Sequence, residues 1–170
     1  MGGNAGEKQN NHKFTACVLT VSDACSRGER EDASGEKAES LLTNMGFQVR
    51  EKLIVPDEVN AIARQLRLWV GNCDLIITTG GTGLAPRDVT PEATKLVIER
   101  DAPGIAEYLR WTGFAATPRA SLSRGIAGIA AATLIINLPG SPKAVEQGLH
   151  SMEPILAHAV SISRSLPVDH

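Results

Sequence analysis

The sequence predicts an α/β fold built on a largely parallel sheet. Two patterns carry that prediction. Between residues 15 and 79, apolar stretches of strand length alternate with amphipathic helical stretches. That β-α-β-α-β order implies parallel strands joined by right-handed crossovers. In addition, Leu75-Ile76-Ile77 is apolar without alternation, as expected of a strand covered on both faces.

The elements follow in order. Residues 15–21 read as a strand. Ala38, Leu41, Leu42 and Met45 fall at i, i+3, i+4 and i+7, which makes 35–45 an amphipathic helix ended by Gly46. Residues 47–55 form the next strand. Val59, Ile62, Ala63, Leu66, Trp69 and Val70 give a second helical stripe, and 74–79 the third strand. Helices are expected over 91–100 and 104–112, with Gly113 closing the latter. Residues 125–130 and 133–138 read as two strands with a tight link, one of them a candidate for antiparallel pairing. Two terminal helices, 143–152 and 153–166, are expected to part near Pro154. No repeat, linker or second core interrupts this pattern, so 14–168 is expected to be one domain of ordinary size. The polar Gly/Asn-rich residues 1–13 read as a disordered tail without the apolar core of a signal peptide.

Composition removes several function classes. A net charge of −2 argues against nucleic acid or a membrane surface as partner, so any phosphate-binding charge must be local. Aromatic residues make up only 4% and do not interleave with basic ones as on a single-strand-binding surface. No apolar run reaches transmembrane length. Cys17, Cys25 and Cys73 are odd in number and widely spaced, which fits buried thiols in a reducing cytoplasm. Cys25, in a polar stretch, is the one candidate for exposure. The histidines show no metal-ligand spacing with the cysteines.

The richest segment is Thr78-Thr-Gly-Gly-Thr-Gly-Leu-Ala-Pro-Arg-Asp-Val-Thr-Pro-Glu92. Gly80, Gly81 and Gly83, with Thr82 between them, permit positive φ and clear the backbone for a ligand, and N–H groups in such a turn converge on phosphate. A plain tight turn remains the alternative. The segment matches neither common phosphate loop. Pro86 stands where the dinucleotide fingerprint needs glycine, and no Lys-Ser or Lys-Thr follows at P-loop distance. Thr90, Pro91 and Glu92 read as N-cap, first helical residue and dipole partner.

In an open parallel sheet, ligands bind at the C-terminal rim of the strands. Strand exits there carry Ser22-Asp23, Pro56-Asp57-Glu58, the glycine turn and, if the last strand is parallel, Pro139-Gly140-Ser141. Asp57 alone reads as a helix cap, and Asp88 alone as a turn residue. Beside a glycine turn, both could serve Mg²⁺, which takes a few carboxylates, waters and substrate phosphates. Asp23, Asp32 and Ser34 frame the polar stretch 22–35, as caps or as ligand contacts. Ser123 and Arg124 could reach an anion, with a solvated surface Arg as the equal alternative. Lys143 opposes a helix dipole unless an anion is near. Trp69 and Trp111 are read as core or interface.

Taken in order, Thr20-Val-Ser-Asp23, Asp32-Ala-Ser-Gly35, Val55-Pro-Asp-Glu58, Thr78-Thr-Gly-Gly-Thr-Gly83, Pro86-Arg-Asp-Val-Thr-Pro-Glu-Ala-Thr94, Leu122-Ser-Arg124 and Leu134-Ile-Ile-Asn-Leu-Pro-Gly140 resemble the molybdopterin adenylyltransferase family, which includes the gephyrin G domain. The resemblance spans residues 15–166. It implies a three-layer α/β/α fold with a mostly parallel five-stranded sheet, one strand antiparallel, and a homotrimer. It implies transfer of AMP from ATP to the terminal phosphate of molybdopterin, releasing pyrophosphate, ahead of a downstream molybdenum insertase. The family's essential aspartates map to Asp57 and Asp88, here assigned to Mg²⁺ and phosphate alignment. Gly80, Gly81, Thr82 and Gly83 would cradle phosphate, and Asp23, Ser123, Arg124, Pro139, Gly140 and Ser141 would complete the pocket. A paralogous group with a different loop after the glycine turn includes members without this activity. A silent pterin-binding protein and a trimeric scaffold are therefore the rival readings, and the intact segment 86–91 favours the enzyme. Relatives commonly carry a basic residue near Ala130, where this chain reads Ile129-Ala-Ala-Ala-Thr133.

Overall fold

The structure is a computed structural model that describes residues 14–165. The expected tail and residues 166–168 of the expected domain lie outside the described residues. The order is β1 (Phe14–Val21), α1 (Asp23–Ser26), α2 (Ala33–Asn44), β2 (Phe47–Val55), α3 (Val59–Trp69), β3 (Leu75–Thr79), α4 (Thr90–Lys95), β4 (Arg100–Asp101), α5 (Pro103–Phe114), a 3₁₀ turn (Pro118–Leu122), β5 (Ala127–Ala130), β6 (Thr133–Leu138) and α6 (Pro142–Ser163).

One sheet runs β2-β1-β3-β6-β5-β4. The pairs β1/β2, β1/β3 and β3/β6 are parallel, and β5 is antiparallel to both neighbours. Alternation along each central strand splits the core in two. Ala16, Val18, Leu75, Ile77, Leu134 and Ile136 meet Leu42, Leu149, Leu156 and Val160 of α2 and α6 on one face. Cys17, Leu19, Ile76 and Ile135 meet Ile62, Leu66, Trp69 and Ala93 of α3 and α4 on the other. Helices thus cover both faces, and the three-layer α/β/α architecture follows.

The sheet gains a sixth strand beyond the five expected. The helix expected over 91–100 stops at Lys95, because the chain leaves it to pair with β5. The Glu99 N–H donates to Ile129 O at 2.9 Å, and Arg100 and Asp101 then form the two-residue β4. The two expected terminal helices are one, α6, with Pro154 inside it. Pro154 is exposed, whereas Leu149, Met152, Leu156 and Val160 on either side of it are buried, so packing carries the helix across a residue that lacks its N–H. Gly113 does not close α5, which continues to Phe114.

All three cysteines are free and buried, Cys25 included. Among the described residues, no helix is long and apolar enough to cross a membrane.

Candidate active site

Strands β1, β2, β3 and β6 end on one rim, at Val21, Val55, Thr79 and Leu138. The connection leaving β1 runs to β2 on one side, and the connection leaving β3 runs to the β4, β5 and β6 side on the other, so the rim between β1 and β3 is the topological switch point. A cavity of about 1300 Å³ opens there.

The exits approach each other backbone to backbone, and glycine makes that possible. Gly80 has φ +90°, and a Cβ on it would lie 2.3 Å from Val21 O. Gly81 has φ +65°, and its Cβ would lie 2.3 Å from Thr90 Oγ1 and 3.2 Å from Asp57 Oδ1. Gly140 packs on Gly80 in the same way, its would-be Cβ 3.1 Å from Gly80 Cα. The turn is locked at its base by Thr90. Its hydroxyl donates to Gly80 O at 2.9 Å, and its N–H donates to Gly81 O at 3.0 Å. Thr90 is therefore not the N-cap of α4. Val89 holds that position without a side-chain bond, and the Thr90 hydroxyl serves the loop instead.

Beneath the cavity lies a polar floor in which Asp32 and Ser34 were anticipated as cap or ligand contact, whereas Thr20, Thr78, Thr79, Thr94 and Asn137 were not singled out for it. Asp32 caps α2 through Gly35 N–H at 2.9 Å and accepts the Thr20 hydroxyl at 2.7 Å. Ser34 and Thr79 share a hydrogen bond of 3.0 Å. Asn137 donates to Thr78 and Thr94 hydroxyls at 2.9 and 3.0 Å. Satisfied buried bonds of this kind hold strand ends in one register. The visible signal was a pair of threonines ending an apolar strand.

Asp57 does not cap α3; Glu58 holds the cap position, and no side chain bonds there. Asp57 instead forms a reciprocal pair with Asp23. The Asp23 N–H donates to Asp57 Oδ2 at 2.8 Å, and the Asp57 N–H donates to Asp23 Oδ1 at 3.0 Å. Arg87 closes on Asp23 with two nitrogens, Nε to Oδ2 at 3.0 Å and Nη2 to Oδ1 at 2.8 Å. The Asp57 N–H and then Arg87 hold the Asp23 carboxyl below the usual range. Burial pushes the Asp57 carboxyl above it. The charges of Asp23 and Asp88 push the same way, against the hydrogen bond from the Asp23 N–H. Asp88 Oδ2 accepts the Ala85 N–H at 3.0 Å and lies against Gly83, whose Cβ would come within 2.7 Å.

The cavity brings together Asp57, Asp88, Gly80, Gly81, Thr82, Gly83, Ser123, Pro139, Gly140 and Ser141 of the expected site residues. Asp23 stands behind Asp57 rather than on the cavity wall. Arg124 is also off the wall, its guanidinium taken by Gly83 O, Asp88 O and the Glu92 carboxylate. Four basic residues also line the cavity: Arg30, Arg110, Arg119 and, at the start of α6, Lys143. Among these only Lys143 carried a sequence signal, its position against the helix dipole. Arg110 is spent on Ser123 O and Gly125 O, and Arg30 on the Ser22 hydroxyl. The lining therefore carries both carboxylates and cations, with the side chains of Arg119 and Lys143 showing no bond to another side chain or carbonyl among the described residues. Ala130 lies elsewhere. It is buried at the end of β5, paired with Thr133 at the start of β6 and so at the opposite end of the strands from the rim, and it is not among the residues that line this pocket.

Residues 17–158 match the family profile described as "Probable molybdopterin binding domain". Molybdopterin adenylyltransferase of Helicobacter pylori strain J99 is 42% identical over 152 residues, covering 85% of each chain. Molybdenum cofactor synthesis protein cinnamon of Drosophila melanogaster is 45% identical over 153 residues; the match covers 88% of this chain but only 25% of that larger protein. The crystal structure of the molybdopterin biosynthesis enzyme MoaB from Thermus thermophilus superposes with a TM-score of 0.85 at 47% identity, over 92% of this chain and 99% of its own. Profile, sequence and fold agree over the residues that build the rim, and the chain belongs to the molybdopterin-binding domain family of molybdenum cofactor biosynthesis.

Proposed function

We propose that the protein is a molybdopterin adenylyltransferase. A terminal phosphate oxygen of molybdopterin attacks the α-phosphorus of ATP, a new P–O bond forms, and the bond to the β-phosphate bridge breaks to release pyrophosphate. The observation that carries this reading is the placement of Asp57 and Asp88 on one cavity wall beside the Gly80–Gly83 turn.

The attacking phosphate is already ionised at neutral pH, so the site needs no strong general base. It must hold two anions in line and offset their repulsion. The Gly80 N–H is taken by Leu138 O at 3.1 Å, so the N–H groups of Gly81, Thr82 and Gly83 are the ones the turn offers to nucleotide phosphate, and Arg119 and Lys143 add positive charge to the lining. Ser123 and the 139–141 turn complete the wall between them.

The carboxylates fit Mg²⁺. Asp57 and Asp88 each use one oxygen within the protein, Oδ2 in both cases, which leaves the other oxygen to face a cation. Mutual repulsion with Asp23 and burial make the ionised Asp57 costly until positive charge arrives. Among the described residues, no group of three or more potential ligands gathers. A shell of one or two carboxylates completed by water and phosphate suits Mg²⁺. Bound there, the ion would neutralise charge on the reacting phosphates.

We also propose a homotrimer, with the adenylylated product passing to a molybdenum insertase. The exposed Trp111, Phe114 and Leu122, on α5 and the turn after it, support burial of this face in an assembly.

The deciding experiment incubates the protein with molybdopterin, ATP and Mg²⁺ and follows adenylylated molybdopterin by mass spectrometry. Product that vanishes in Asp88→Ala is the expected result. Bound pterin without product would favour a silent binding protein. That rival draws on the paralogous group with a different loop after the glycine turn, some of whose members lack the activity.

A further inference from the structure

Arg124 stands between the 3₁₀ turn and β5, yet its bonds all run to the β3–α4 connection and the first turn of α4. Its N–H donates to Thr82 O at 2.8 Å, its Nε to Gly83 O at 2.8 Å and its Nη2 to Asp88 O at 2.6 Å. Nη1 pairs with the Glu92 carboxylate. One side chain thus ties together the last glycine of the turn, the aspartate on the cavity wall and the first turn of α4. Between these anchors, Leu84, Ala85, Pro86 and Arg87 are all exposed. Within the loop the bonds are the short exchange between Ala85 and Asp88, and Arg87 reaches out of it to Asp23 on the neighbouring strand exit. Its base is closed separately by Thr90.

Asp88 and Gly83 line the cavity, whereas Arg124 and Glu92 do not. We infer that Arg124 is a positioning residue for adenylyl transfer: it sets the Asp88 carboxylate and the glycine turn through the backbone of Gly83 and Asp88, and it touches no substrate. A guanidinium suits the task because its fixed fork spreads donors over three nitrogens to two carbonyls and a carboxylate, whereas an ammonium concentrates its three donors on one atom. Glu92 is the outer half of the clamp. It keeps the fork aimed at the loop and neutralises it, so little of its charge is left for a phosphate. This inference rests on the adenylyltransferase reading for its catalytic consequence and on the contacts alone for the clamp.

The test uses Arg124→Lys, which keeps the charge, and Glu92→Gln, which removes the outer partner. Displacement of the Asp88 loop by about 1 Å should cost roughly 10²-fold in kcat in the Lys variant. KM for ATP should change little, and Glu92→Gln should show a smaller loss of the same kind. In an Asp88→Asn background, Arg124→Lys should cost clearly less than in the wild type, since the part of its effect that passes through the Asp88 carboxylate is already lost. Amide hydrogen exchange of the substrate-free protein should quicken over residues 83–90 and stay unchanged in the central strands. The inference is overturned if Arg124→Lys raises KM at constant kcat, if its loss multiplies with that of Asp88→Asn, or if loop exchange is unaltered. Absence of adenylyl transfer by the wild-type protein would sink the functional reading alone, and the exchange result would still decide the clamp.

Discussion

Asp57 is held in a costly state, and that has a measurable consequence. Its folded carboxyl titrates above the ordinary value of 3.8, mainly because it is buried. Between the ordinary value and the raised one, the native state therefore binds more protons than the unfolded chain. Stability falls as pH rises through that window, and below 3.8 the effect is gone. Asp57→Asn keeps an oxygen to accept the Asp23 N–H but carries no charge. It should raise the midpoint of thermal unfolding at pH 7 while lowering kcat by at least about 10²-fold, the scale of removing one transition-state stabiliser. Scanning unfolding from pH 3 to 7 should show the gain shrinking to nothing at the acid end. A variant with normal turnover, or one destabilised at pH 7, would contradict the assignment. Asp23 behaves oppositely, because the Asp57 N–H and Arg87 stabilise its charge. The adjacent aspartates thus differ in role: one faces the cavity, and the other holds it in place. Sequence reading grouped both as rim carboxylates, because the hydrogen bonds that separate them join residues 34 apart.

At the scale of elements, the glycine turn and the last helix make contrasting predictions. Gly80 needs both a left-handed backbone and an empty side-chain position, since Val21 O stands 2.3 Å from where a Cβ would lie. Gly80→Ala should destabilise the fold by at least about 1–3 kcal/mol, the range for a strained backbone position. Denaturant titration checks it, and a midpoint equal to wild type would refute the close approach. Pro154 in α6 predicts the reverse. It is exposed and lacks the N–H that a helical neighbour would donate. Pro154→Ala should stabilise by up to about 3 kcal/mol and leave turnover unchanged. Both strands and helices were legible where periodicity was strong, as in β2 and α3. Legibility failed where a partner distant in sequence decided the outcome. Strand β4 exists because β5 offers an edge, and α6 is continuous because the core holds both of its halves.

For the whole molecule, the fold brings four strand ends to one rim and covers both faces with helices, which leaves that rim as the place for a ligand. Adenylyl transfer should require added Mg²⁺ and stop on chelation with EDTA, while far-UV circular dichroism stays the same. Loss of the fold on chelation would assign the ion a structural role instead. Native mass spectrometry should find three copies, and a monomer at micromolar concentration would remove the trimer. The sequence by itself determined the alternating fold class, the parallel strands and the glycine turn, along with Asp57 and Asp88 as the residues of interest. These follow from local periodicity and from residue chemistry that neighbours in the chain already specify. Only the tertiary structure decided that Asp57 pairs with Asp23 rather than capping a helix, that Thr90 locks the turn, that Arg124 clamps the loop and that Ala130 lies at the opposite end of the strands. Each of those outcomes is a choice among hydrogen-bond partners, and such partners become available only when the packed sheet brings distant segments together.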